Sequence, residues 1–339
     1  MYIVKIMLAT KTLLKIFVNT LIGVILVIVW LQFVNIQNIF ETISLVNIFD
    51  LLPVFLFFFL SPSVRALRLK ILLDPVKKIS LKDLVFLNQA AALLNFLIPI
   101  RAGEIAKGVY LNTEYEVPLS RALIWILLDR FIDFLTILFL ASVLLFLIPT
   151  NIPSSFMVVL GAGFMVGSIL TYLIVYKPEL AKSVFNLLKP LLVFNVVRKQ
   201  IEKLLNFFLG SFSILKRGSK DMFLLFGVSS LSYLCDAFVW VFIFRALGVP
   251  QELIKMYLGQ LLSALTYIVP AAPGYIGSAE ASGLLIFSGV LGLDINLASS
   301  MAVLFHMLAA ISIIVYGVIS IYALKMDVGA ILKKVFKRG

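Results

Sequence analysis

The sequence predicts an all-α, polytopic integral membrane protein with re-entrant or broken helices arranged as an inverted repeat. Three observations predict it. Hydrophobic residues make up 62% of the chain and charged residues 14%, and apolar runs of about twenty residues, the length that crosses a bilayer, recur along it. Two apolar stretches are interrupted, at Asn95–Lys107 and at Pro270–Glu280, by Pro, Gly and charged residues. Hydrocarbon solvates none of the charged groups, so they must face protein, water or a ligand. Finally, the two interruptions share a pattern of spacings.

Full spans are expected at 12–34, 43–60, 119–148, 153–176, 222–246 and 297–324. Lys5, Lys11 and Lys15 stand ahead of its apolar run, and no small-x-small cleavage site lies behind it, so the first reads as an uncleaved span rather than a signal peptide. Three further apolar segments are not simple spans. Segment 82–99 carries Asn88, Gln89 and Asn95 and stops at Pro99, segment 254–270 stops at Pro270, and 276–292 is rich in Gly and Ser.

Loop charge orders these segments. Three basic residues lie at the N-terminus, six in 65–82, nine in 177–220 and five after Leu324, whereas 35–42 carries only Glu41 and 149–155 carries no charge. Basic loops face the cytoplasm, which puts both termini there in a cell membrane. The nine-charge loop stays on that side only if 82–99 enters and returns, with 100–117 too short and charged to be a span. The same parity makes 254–292 an even excursion from the outer side.

Asn95 and Pro99 match Thr266 and Pro270 in spacing, and Glu104 to Arg130 is as long as Glu280 to His306. The chain is therefore read as one membrane domain, 1–339, with repeat halves 82–176 and 222–324 of opposite orientation and a binding site near the midplane between them. Segment 177–220 mixes Lys and Arg with Leu, Phe and Val at helical spacing, as an amphipathic connector on the basic leaflet.

The net charge of +12 is spread between spans rather than gathered into a basic domain, so it predicts anionic lipid headgroups and no nucleic acid. One His and one Cys exclude a His/Cys metal cluster, and Cys235 has no partner for an intrachain disulfide. No nucleophile elbow, HExxH, Walker loop or Asp-x-Asp pair is present, so no cofactor and no nucleotide-driven or self-contained hydrolytic chemistry is expected.

Several residues then stand out. Arg101 and Glu104 flank Gly103; either they close a structural ion pair, or the guanidinium fork holds a phosphate. Asp129, Arg130 and Asp133 lie roughly half the bilayer deep, as a neutralised packing lock or as a cavity floor with Arg130 oriented by the carboxylates. Pro273, Gly274 and Gly277 form a tight turn, after which a half-helix would aim free N–H groups at an anion, with Glu280 capping it or pairing with a base such as Arg130. His306 is either a hydrogen-bonded packing residue or a proton-linked group. Asp236, at mid-span, requires a partner that the sequence does not name.

These residues carry a resemblance. The pattern Asn95-x3-Pro99-x-Arg101-Ala-Gly103-Glu104, then Asp129-Arg130-x2-Asp133, then Pro273-Gly274-x2-Gly277-x2-Glu280 resembles the lysylphosphatidylglycerol synthase transmembrane-region family over nearly the whole chain. Arg65 and Arg68 also fit. Asp129 stands where the family usually has Glu, and His306 where it often has Arg.

The resemblance implies a flippase-like fold whose substrate-binding residues are Asn95, Arg101, Gly103, Glu104, Asp129, Arg130, Asp133, Pro273, Gly274, Gly277, Glu280 and His306. It also implies a stand-alone membrane domain, since the apolar segments use up the chain and leave no room for a fused synthase or glycosyltransferase. The leading expectation is a lipid translocase for a phospholipid or polyprenyl-phosphate-linked lipid. An intramembrane lipid-modifying transferase and an accessory subunit of a separate lipid-modifying enzyme remain open beside it.

Overall fold

The computed structural model describes residues 20–21, 24–98, 101–188, 219–266 and 272–337, with isolated positions at 190, 198, 199, 202 and 209. Pro99, Pro270, the N-terminal lysines and most of the connector lie outside the described residues. Those that are described form helices and turns, with no strand. Among the described residues five helices are long and apolar enough to cross a membrane, and the chain is a multi-pass membrane protein.

Helix α1 (Val24–Leu31) ends before α2 (Ile36–Ser44), which turns away from it by 91°. The stretch 35–42, expected from its charge only as an outward-facing connection, is largely helical. Asn35 accepts hydrogen bonds from the Gln37 and Asn38 amides and so starts a second helix. A 3-10 turn (Ile48–Leu51) leads into α3 (Leu52–Leu73). That helix extends well past the expected end at residue 60, and Arg65, Arg68 and Lys70 therefore belong to a helix rather than to a basic loop.

The first interruption is a helical hairpin. Its limbs, α4 (Leu81–Leu97) and α5 (Ala102–Tyr115), run antiparallel, because Tyr115 Oη donates to Asp83 at their open end while the Gly103 amide donates to Asn95 Oδ1 near the tip. Fourteen residues in α5 rise roughly 21 Å, short of a hydrocarbon core of about 30 Å, so the hairpin enters and leaves by one face. The excursion is as expected, but the return limb is 102–115, the segment the sequence reading set aside as too short and charged. The 29-residue α6 (Leu119–Leu147) and α7 (Ser154–Tyr176) then cross and return, and α8 (Pro178–Leu188) follows at the end where α3 finishes.

The second set repeats this order from the opposite face. Helix α9 (Ser219–Ala246) crosses, α10 (Leu253–Thr266) descends part-way, and α11 (Ser278–Gly283) returns through a π turn (Leu284–Val290). The Asn151 amide, in the α6–α7 loop, donates to the Val290 carbonyl at 2.9 Å, which fixes the face at which this hairpin opens. The 29-residue α12 (Ile295–Ala323) crosses back and α13 (Val328–Lys337) closes the described chain against α5. Helix α3 packs along α9, α4 along α12 and α10 along α6, so the hairpin of each set is held by the long helix of the other.

Two apolar cores occupy the two ends. One gathers Leu69, Leu73, Leu84, Trp125, Leu128 and Leu225, and the other gathers Val54, Ile137, Leu145, Trp240, Phe244 and Phe287. Between them, α6 presents Asp133 and Thr136 and α9 presents Ser229 and Ser232, all buried. A polar seam thus lies at mid-depth, where a bilayer is least able to solvate it.

Candidate functional site

The seam is built on Arg68, which is fully buried. Its Nε donates to Asp129 Oδ1 at 2.6 Å, its Nη1 to Asp133 Oδ1 and to Ser229 Oγ, and its Nη2 to Asp133 Oδ2 at 2.9 Å. Such a guanidinium offers a rigid fork that satisfies two carboxylates at once, which a lysine does not. Asp129 and Asp133 face Arg68 on one side and Arg130 on the other, where Nη2–Oδ2 is 3.1 Å and Nη1–Oδ2 is 3.2 Å. Arg130 keeps 35% of its side chain exposed. It is the accessible end of a cluster whose floor is buried.

The first hairpin completes the cluster. Glu104 on α5 lies 3.8 Å from Arg130 Nε and 2.8 Å from Lys107 Nζ, and the buried Lys107 also donates to Asn88. Arg101 precedes α5 in the left-handed conformation at φ 53° and is exposed at the tip. Glu104 is therefore shared between Lys107 and Arg130, and the simple Arg101–Glu104 pair offered as one reading is not its main contact. Asn95 and Gly103 join the two limbs of the hairpin through the Gly103 amide and Asn95 Oδ1. A Cβ at Gly103 would lie 2.0 Å from the Ala91 carbonyl oxygen, so only glycine lets α5 approach α4 this closely.

Three contributors are missing from the site residues expected from the sequence. Lys107 lies inside the first motif, Arg68 reads as part of the basic 65–82 stretch although it fits the family pattern, and Arg65, which fits it too, supplies the partner that Asp236 requires, at 2.5 Å. The signal for α3 was present in Leu69-Lys70-Ile71-Leu72-Leu73, which continues the apolar run past both arginines. With Arg101, Arg130 and Lys107 these make five cations against the carboxylates Glu104, Asp129, Asp133 and Asp236, a surplus of one positive charge.

The second interruption is organised differently. Gly274 and Gly277 have φ of 70° and 79°, as the expected tight turn requires. The Gly277 amide donates to Glu280 Oε2 at 2.8 Å, so the turn offers this N–H to its own capping carboxylate and not to an outside anion. Glu280 does not reach Arg130. Its Oε1 meets His306 Nδ1 at 2.5 Å, and His306 Nε2 meets the Gly274 carbonyl at 2.6 Å. The two hairpins touch at their tips, where the Phe96 and Tyr275 rings lie 5.9 Å apart.

The family model described as the lysylphosphatidylglycerol synthase TM region matches residues 15–317. The chain belongs to this family. A UPF0104 membrane protein of Methanocaldococcus jannaschii is 21% identical over 238 residues, covering 69% of this chain and 95% of that protein. No solved structure matches. Within the lysylphosphatidylglycerol synthase transmembrane-region family, this chain places its motif residues in two polar groups, one around Arg130 and one around His306, separated by the Phe96–Tyr275 contact.

Proposed function

We propose that this protein moves a lipid with an anionic phosphate headgroup, a phospholipid or a polyprenyl-phosphate-linked lipid, between the leaflets of the cell membrane, with its termini and basic loops on the cytoplasmic side. The observation that carries this reading is the accessible Arg130 guanidinium held over a buried arginine–aspartate floor. Structural ion pairs alone explain such an arrangement poorly, because a buried pair stabilises little over well-packed apolar residues.

A phosphate reaching Arg130 meets a bidentate donor whose carboxylate partners are shared with Arg68, so the guanidinium is oriented without being fully neutralised. Arg101, exposed at the hairpin tip, gives a second cation on the same path. Two hairpins opening to opposite faces and meeting tip to tip supply a gate that either leaflet can approach. The family is described by the membrane region of a lipid synthase, which favours lipid as the cargo. A separate lipid-modifying enzyme that supplies or consumes that lipid is the proposed partner.

Reconstitution in proteoliposomes with fluorescent phospholipids tests the reading. Wild-type protein is expected to equilibrate the probe between leaflets, and Arg130→Gln to slow it at least tenfold, the loss of about 1.4 kcal/mol from one charged hydrogen-bonding partner. Equal rates for wild type, Arg130→Gln and empty vesicles overturn it.

A further inference from the structure

We infer that Glu280 and His306 form a proton-binding site whose occupancy holds the tip of the second hairpin closed against the first. The argument is one of donors and acceptors. His306 Nε2 faces a backbone carbonyl, which only accepts, so that nitrogen carries hydrogen. Nδ1 faces Glu280 Oε1 at 2.5 Å, where two lone pairs would repel, so a second proton lies between them. It belongs to an imidazolium facing a carboxylate or to a carboxylic acid facing a neutral ring; in either form the pair holds one proton more than the neutral histidine and free carboxylate do.

When that proton leaves to water, the pair passes from net zero to one negative charge and one ring nitrogen becomes an acceptor facing an acceptor. The neutral ring keeps one N–H, which serves Glu280 Oε1 or the Gly274 carbonyl but not both, so one of the two ties by which His306 on α12 holds the tip is lost. Gly274 and Tyr275 form the tip that lies against Phe96. Release of the proton is therefore coupled to loosening of the tip.

Among the described residues no other titratable group contacts His306. Glu280 is the titratable residue acting on His306 among the described residues. Of the elements packed on α12, α3 contributes Arg65 and Arg68, engaged with Asp236 and with Asp129 and Asp133. Asp236 of α9 is the partner of Arg65, while α4 contributes Asp83, bonded to Ser80 and Tyr115, and Lys82, over the Phe86 ring. Glu41 of α2 accepts from Gln37, and Tyr275 stands in the tip itself. The proton site stands on this geometry alone; its part in lipid movement rests on the function proposed above.

The chain has a single histidine, so 15N-histidine labelling reports this ring with no assignment problem. In the full-length protein at neutral pH, Nε2 is expected to be protonated and Nδ1 to carry or share a proton, and Glu280→Gln to leave Nδ1 bare. A wild-type ring with an unprotonated, unshared Nδ1 at neutral pH overturns the site. Spin labels at Phe96→Cys and Tyr275→Cys, in a Cys235→Ala background, read the tips. Their separation is expected to grow as pH rises through the ring's titration, and to stay fixed with pH in His306→Arg. A separation that ignores pH in the wild type, or follows it equally in His306→Arg, overturns the latch. Neither measurement requires lipid transport, so lipid movement that continues while both fail removes the latch and leaves the translocase.

Discussion

Arg65 on α3 pairs with Asp236 on α9 at 2.5 Å, across 171 residues of sequence. These are the helices that precede the two hairpins, and each hairpin is followed by a 29-residue helix. Glu104 meets Arg130 after the first hairpin and Glu280 meets His306 after the second, at the same sequence separation. We propose that the repeat units begin at α3 and α9, which moves the first boundary back from residue 82 and makes the Arg65–Asp236 pair a contact between equivalent helices.

Asp236→Ala leaves Arg65 without its carboxylate in a half-buried position. A loss of about 3 kcal/mol is expected from stranding a charge there. The exchange Arg65→Asp with Asp236→Arg restores part of it, because the pair straddles two like-placed helices. Unfolding in detergent of the two single variants and the exchange, run as a double-mutant cycle, measures the coupling; additive losses count against a direct pair.

Arg68→Leu is expected to be more damaging than Arg130→Leu. The first strands Asp129 and Asp133 in a buried site and costs about 3–5 kcal/mol, whereas the second removes a side chain that is 35% exposed and leaves Arg68 holding both carboxylates. Adding Asp129→Asn and Asp133→Asn to Arg68→Leu recovers stability without recovering lipid movement. Thermal midpoints in detergent check the order.

Gly103→Ala sets a Cβ against the Ala91 carbonyl and is expected to cost about 3 kcal/mol through forced separation of α4 and α5. Gly227 on α9 has open space where a Cβ would go, so Gly227→Ala is expected to raise stability by up to about 1 kcal/mol. Opposite signs for the two substitutions are the test, since both are helical glycines of one sequence.

How far the sequence exposed these features depended on the range of the interaction. Asp129, Arg130 and Asp133 share a helix, so their spacing alone put them together, and the two interruptions were visible because hydrocarbon tolerates so few charges. Arg68 was hidden by the same rule that ordered the loops. A basic residue near the end of an apolar run reads as a flank, and only its carboxylates, 61 and 65 residues away, show that it is buried. The turn of α2 was equally illegible, and the matched spacing of Glu104–Arg130 and Glu280–His306 did not show that Glu280 bonds the ring, since each contact is decided by a neighbour that the fold supplies.

Arg101 holds a left-handed backbone, which costs a non-glycine residue roughly 1–2 kcal/mol. Arg101→Gly is therefore expected to fold at least as well as the wild type, and Arg101→Ala to gain nothing. If the guanidinium serves the lipid path, both lose lipid movement alike. Stability and exchange rate measured together separate the two roles: a glycine variant that transports normally assigns Arg101 to the turn alone.

The tip contact predicts a reversible block. Phe96 and Tyr275 come from hairpins that open to opposite faces, and their rings meet at 5.9 Å. If lipid passes where these tips part, joining them with a short, reducible bis-methanethiosulfonate through Phe96→Cys and Tyr275→Cys must stop exchange, and cleaving the link must restore it. Cys235 is buried and is replaced by Ala so that the reagent finds only the tips. Single-cysteine controls carry the same modification without the bridge, which separates tethering from added bulk. Exchange that proceeds unchanged through the tethered protein would mean that the lipid travels elsewhere, along the outer faces of the helices, and that the tips are a structural contact.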